Sequence, residues 1–91
     1  MATIAVMLKV GGEGVVQALQ EAGEKLDTAN GQLVLDFSSV LRIDPAALAA
    51  MEKLAGMADG KAVRLALRGV NVDVYKVLKL AKLAPRFSFL G

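Results

Sequence analysis

Leu33-Val34-Leu35-Asp36-Phe37-Ser38-Ser39-Val40, followed after Leu41-Arg42 by Ile43-Asp44-Pro45-Ala46-Ala47-Leu48, holds the change of period on which the architecture turns. Gln32 to Phe37 is a short apolar run of the length and composition of a buried strand. Ser38-Ser39 breaks it, and Val40 to Ile43 reads as a short extension. Asp44-Pro45 then opens a helix. An aspartate carboxylate accepts one of the orphan N–H groups of the first turn, and proline at the first helical position loses no bond while its φ is already set. On a wheel of Pro45 to Asp59, Leu48, Met51, Ala55 and Ala58 face inward and Glu52, Gly56 and Asp59 face water. Ala46, Ala50 and Met57 extend the apolar arc toward solvent, which folding alone does not require.

Downstream, Lys61 to Leu67 alternates basic and apolar residues and predicts a third strand, ended by Gly69. Asn71 is placed to cap a helix from Val72 to Leu83, with Val74, Val77, Leu78 and Ala81 inside and Lys76, Lys79 and Lys82 outside. Pro85 terminates it, and Phe87, Phe89 and Leu90 form a short strand or a tail packed on the sheet. Upstream, Thr3 to Val10 is a β-branched apolar run closed by Gly11-Gly12. From Glu13 to Thr28 the spacing becomes helical, with Val15, Ala18, Leu19, Ala22 and Leu26 on one stripe and Asn30-Gly31 beyond the end. The order β-α-β-α-β-α-β predicts an α/β sandwich whose helices pack on a mostly parallel or mixed sheet.

Ninety-one residues make one domain, residues 1–91, and a hydrophobic fraction of 55% is ample for a core. The richest apolar stretch, Leu41 to Met57, is interrupted by Arg42, Asp44, Glu52 and Lys53, so it is not a membrane span. No basic segment leads into an apolar run after Met1, and a soluble cytoplasmic protein is the expectation. Cysteine and histidine are both absent, which removes disulfides, thiolate nucleophiles, imidazole bases and nearly all zinc or haem ligation. Residues 1–36 carry a net −3 and residues 37–91 a net +5. The basic residues are scattered over separate elements and aromatics are only 4%, too few for base stacking, so nucleic acid is not the expected partner.

Ligands of open α/β sheets bind beyond the carboxyl ends of the strands, which directs attention to Gly11-Gly12, to Asp36 through Pro45 and to Arg68 through Asn71. Asp36 and Asp44 could pair on magnesium, but a helix cap and a turn account for them more simply. Gly11-Gly12-Glu13-Gly14 lacks the lysine and hydroxyl of a phosphate loop. Ser38 and Ser39 have no histidine to activate them, so no catalytic residue, metal or cofactor is assigned. Tyr75 reads as a packing residue, and the lysine ridge as a solvated helix face.

Taken together, Leu33 through Val40, Ile43 through Leu48, Gly69-Val70-Asn71 and the helix carrying Leu78 resemble the STAS domain family of anti-sigma factor antagonists over about residues 30–90. The resemblance implies a four- to five-stranded mixed sheet with three to four helices packed on it, and no enzymatic activity. In that family Asp-Ser-Ser-Gly-Leu opens the second helix, and the second serine is phosphorylated by a partner kinase. Here Asp44 and Leu48 match, Pro45 and Ala46 replace the serines, and Ala47 replaces the glycine. The phosphoacceptor position is therefore Ala46, which has no hydroxyl, and the family's charge switch is missing.

The family's partner contacts centre on the loop before this helix and its first turns, where the wheel leaves its apolar strip. The partner-binding residues expected are Ser38, Ser39, Arg42, Asp44, Pro45, Ala46, Ala47, Ala50, Lys53 and Met57. The function implied is a regulatory protein-interaction module in bacterial signalling and transcription. Its partner would be an anti-sigma factor kinase or a signalling complex, with a homodimer as a further form. Two alternatives stand beside it: the small STAS subunit of an ABC-type lipid transport complex, and a small-ligand or nucleotide-binding domain using Gly12, Asp36 and Asn71.

Overall fold

The computed structural model describes residues 6–11, 14–29 and 31–90. Strand β1 spans Val6–Lys9, helix α1 Val15–Lys25, β2 Gln32–Asp36, α2 Pro45–Gly60, β3 Arg64–Arg68, α3 Val72–Leu80 and β4 Ser88–Leu90, with a 3-10 turn over Ala84–Arg86 before β4. The strands lie side by side in chain order, and all three pairings are parallel. The α/β class is as expected, whereas the described strands form a parallel sheet, not a mixed one. Each of β1, β2 and β3 is followed by a helix long enough to carry the chain back to the start of the next strand, and that crossover produces parallel neighbours. The expected reach of β1 back to Thr3 lies outside the described residues, as do Gly12, Glu13 and Asn30.

Consecutive order and parallel direction, combined with the right-handed crossovers of βαβ units, bring all three helices to one face of the sheet. Leu33, Leu35, Leu65 and Leu67 face them and share one core with Leu19, Leu26, Met51, Leu54, Val74 and Leu78. No polar or charged side chain among the described residues is buried with them. Each leucine taken fully out of water there contributes about 2 kcal/mol. On the opposite face Val34 and Ala66 are also buried, yet they stand outside that core, beside Asp36, Arg64 and Arg68 of the same two strands.

Chain-end chemistry sets the helix limits. Asp44 and Asn71 cap α2 and α3 as expected, accepting through their side chains from Ala47 N–H at 2.7 Å and Val74 N–H at 2.8 Å. The third helix ends at Leu80, three residues short of the expected Leu83. Leu83 N–H reaches back to the Leu78 carbonyl at 2.8 Å, with Lys82 at φ 62° making the reversal. This closure leaves Ala81 exposed and buries Leu83 instead. The same closure ends α2, where Ala62 takes φ 55° and Val63 N–H donates to the Ala58 carbonyl at 2.9 Å, so β3 begins at Arg64, later than Lys61. Two ion pairs, Lys61 with Asp27 and Arg86 with Asp59, join exposed element ends.

Candidate functional site

The segment between β2 and α2 is a pinned loop and not the strand extension its apolar residues suggest. Phe37 N–H donates to the Arg68 carbonyl at 2.7 Å, Val40 N–H to the Phe37 carbonyl at 2.9 Å, and Ser38 N–H to Asp36 Oδ1 at 3.0 Å. The Ser38 backbone N–H and then its hydroxyl hold the Asp36 carboxyl below the usual aspartate value against the opposing effect of desolvation, with lesser help from the charges of Arg68 and Lys9. Gly69 makes the fit between the two strand ends, because its φ is 73° and a Cβ there would lie 2.9 Å from Ser38 Cβ and 3.0 Å from Ser38 Cα. Only glycine tolerates both conditions.

Asn71 fastens the rest of the loop. While its Oδ1 caps α3, its Nδ2 donates to the carbonyls of Val40 at 3.2 Å and Leu41 at 3.1 Å. These carbonyls would otherwise seek a neighbouring strand, and the outcome is a loop that buries Val40 and Ile43 while turning Leu41 out, 77% exposed. Leu41 was missed in the sequence because it reads as one member of an apolar run. The loop that alternates buried and exposed residues over Val40 to Ile43 is held at its carbonyls by a side chain thirty residues further along the chain.

Beyond the loop, α1 and α2 lie against one another and leave a furrow open along their outer side. Val16 and Glu24 line it from α1, and Ala46, Ala49, Ala50, Lys53, Leu54 and Met57 line it from α2. Arg42 lies at the loop end of the same furrow, where Val16 and Gln20 continue it. The Met57 thioether crosses toward α1, and a Cβ on Gly23 would come within 3.2 Å of its methyl group. Gly23 thus lets the α2 side chain lie flat across the helix pair.

The structure brings Ser38, Ser39, Arg42, Asp44, Pro45, Ala46 and Lys53 to the surface around the loop and furrow, with Ala50 half-buried and Met57 38% exposed. Ala47 is a correction: it is 2% exposed and belongs to the core beneath α2. Its spacing from Met51, Leu54 and Ala58 puts it on the inner stripe, a signal present in the sequence. Ala49 was missed, since alanine gives no polarity by which to place it. Of the residues named for a small ligand, Asp36 and Asn71 direct their polar atoms to the chain itself, and Gly12 lies outside the described residues.

A family model described as the Mlab STAS domain matches residues 3–88. The chain belongs to the STAS domain family. No curated protein matches it. The crystal structure of a putative anti-sigma factor antagonist, TM1081 of Thermotoga maritima, superposes with a TM-score of 0.70 at 19% identity, covering 98% of this chain and 74% of that one. The solution structure of TM1081 gives 0.74 at 19% identity, with coverage of 92% and 71%. The anti-sigma factor antagonist SpoIIAA in its unphosphorylated form gives 0.73 at 16% identity, covering 100% of this chain and 84% of that one. At such identities the likeness concerns the fold. This STAS domain carries Ala46 at the exposed first turn of α2, and no helix among its described residues is long and apolar enough to cross a membrane.

Proposed function

We propose that this STAS domain is a non-catalytic regulatory module of cytoplasmic address that binds a partner protein through the loop before α2 and the α2 wall of the furrow. The observation that carries this reading is the run of small or flexible apolar side chains, Ala46, Ala49, Ala50 and Met57, left accessible along α2, with Leu41 also exposed in the preceding loop. Apolar surface of this kind, rimmed by Arg42, Lys53 and Glu24, suits the buried centre and polar edge of a protein interface. Asp44 contributes by fixing the first turn of α2, not by donating its carboxylate to a partner. With alanine at position 46, binding is not switched by phosphorylation at that position, as suits either a constitutively competent module or a scaffold.

A second reading, the small STAS subunit of an ABC-type lipid transport complex, is favoured by the family model being the one described for Mlab. The surface is the same and the partner differs. The test is affinity capture from host lysate with wild type and Ala46→Glu side by side, the glutamate placing an unpaired charge in the interface. A histidine-kinase-like anti-sigma factor retained by wild type alone supports the first reading, and an ABC ATPase retained by wild type alone supports the second. Equal retention of every protein by both variants discards the α2 surface.

A further inference from the structure

A second apolar surface, sharing no lining residue with the furrow, lies at the β4 edge of the sheet. Val72 is 67% exposed and Leu80 84%, and with Lys76 they recur at four-residue spacing along the solvent side of α3. On the flank toward β4, Tyr75 meets Phe89 edge to face with ring centres 5.1 Å apart, and both rings, with Leu90, remain partly open to water. Lys76, Lys79 and Lys82 are exposed around them, and none of the three forms an ion pair among the described residues. Asp73 is the one acidic residue of α3. The core does not use these side chains: Val74 and Leu78 hold α3 to the sheet from its other side.

We propose that the α3–β4 edge docks on an anionic lipid bilayer, with Lys76, Lys79 and Lys82 at the headgroups and Val72, Leu80 and the Tyr75–Phe89 pair in the interfacial layer. Charge fixes the sign of the surface that this edge can meet. The kind of cation and its neighbours favour lipid over protein, because lysine is depleted from protein interfaces, whereas lysines beside exposed leucine and aromatic side chains are the composition of helices that lie on membranes. Lysine also keeps its ammonium in water while its stem lies on apolar surface, which lets both contacts form together. A second copy of the chain is a poor occupant, since a two-fold contact would set three lysines against three. The surface is separate from the furrow, so the proposal does not depend on the partner argued above.

The test is flotation of the purified protein with vesicles of phosphatidylglycerol mixed with phosphatidylcholine, and with vesicles of phosphatidylcholine alone. The protein is expected to float with the mixed vesicles only, and to leave them as salt is raised. Each lysine near the surface is worth about a fivefold change in partitioning, so Lys76→Gln with Lys79→Gln lowers it about 25-fold. Val72→Ser with Leu80→Ser, both at exposed positions, also lowers it at unchanged charge. Ala46→Glu floats as the wild type does. Equal flotation with both vesicles, flotation with neither, or full retention by either double variant overturns the proposal. Binding to polyglutamate through the same lysines without vesicle binding overturns it in favour of an acidic protein surface.

Discussion

The loop and furrow on one side and the α3–β4 edge on the other are both apolar and exposed, but they are built from different materials. The furrow is lined by alanines and a methionine, its rim charges are of both signs, and its loop is fixed by hydrogen bonds from Asn71 and from Phe37. The edge presents branched and aromatic side chains with three lysines and no comparable anchoring of its outer groups. Small side chains on a rigid helix allow the close approach of another folded surface. Long cationic side chains over an exposed helix face suit a broad charged layer that imposes no fixed shape. One small fold thus carries two surfaces whose chemistry differs, although both are helix flanks left over after the same sheet has been covered.

Asn71 joins the two, so substitutions around it separate a local effect from a shared one. The largest effect is expected at Gly69→Ala, where positive φ and contact with Ser38 backbone atoms together cost about 3 kcal/mol, read as a lower urea midpoint at unchanged slope. Next is Asn71→Ala, which removes the α3 cap and the loop fastening and costs about 1–2 kcal/mol. Asn71→Asp keeps an acceptor for Val74 N–H but cannot donate to Val40 and Leu41. It therefore leaves α3 near its original stability while amide exchange quickens at Val40, whose N–H donates to the Phe37 carbonyl; equal quickening in α3 would break the distinction drawn between the two regions.

The reach of the sequence follows the range of the interactions. Asp44-Pro45 and Asn71 announced both helix starts because a cap is a contact within one turn. A mostly parallel or mixed sheet was legible from the alternation of strands and helices, but that every described pairing is parallel depends on strands more than twenty residues apart. The early end of α3 was hidden because Lys82 is an ordinary helix former whose φ 62° is imposed by the closure that buries Leu83. In the site, Ala46 could be named from its spacing on the helix and Arg42 and Lys53 from the family resemblance, whereas Glu24 on the other helix could not. Leu41 could not, because it stands inside an apolar run, and Ala47 was misplaced although its spacing from Met51, Leu54 and Ala58 sets it on the inner stripe.

Smaller effects sharpen the comparison further. Ala46→Glu shifts stability by no more than about 0.5 kcal/mol in thermal unfolding, because its position is exposed, and a larger loss would move Ala46 from the surface to the core. Asp36 is expected to titrate below the ordinary aspartate value, as followed by its carboxyl carbon resonance. Because its folded value is the lower one, its contribution to stability is present above the unfolded aspartate value of about 3.9 and is lost as pH falls through the folded value.

The most direct measurement is an amide-shift titration of the isotopically labelled protein with the partner that wild type alone captures. The account predicts that the shifts concentrate at Leu41, Arg42, Ala46, Ala49, Ala50 and Met57, with α3 and β4 unmoved. Shifts concentrated at Val72, Tyr75, Lys79 and Phe89, with the α2 wall silent, would contradict it.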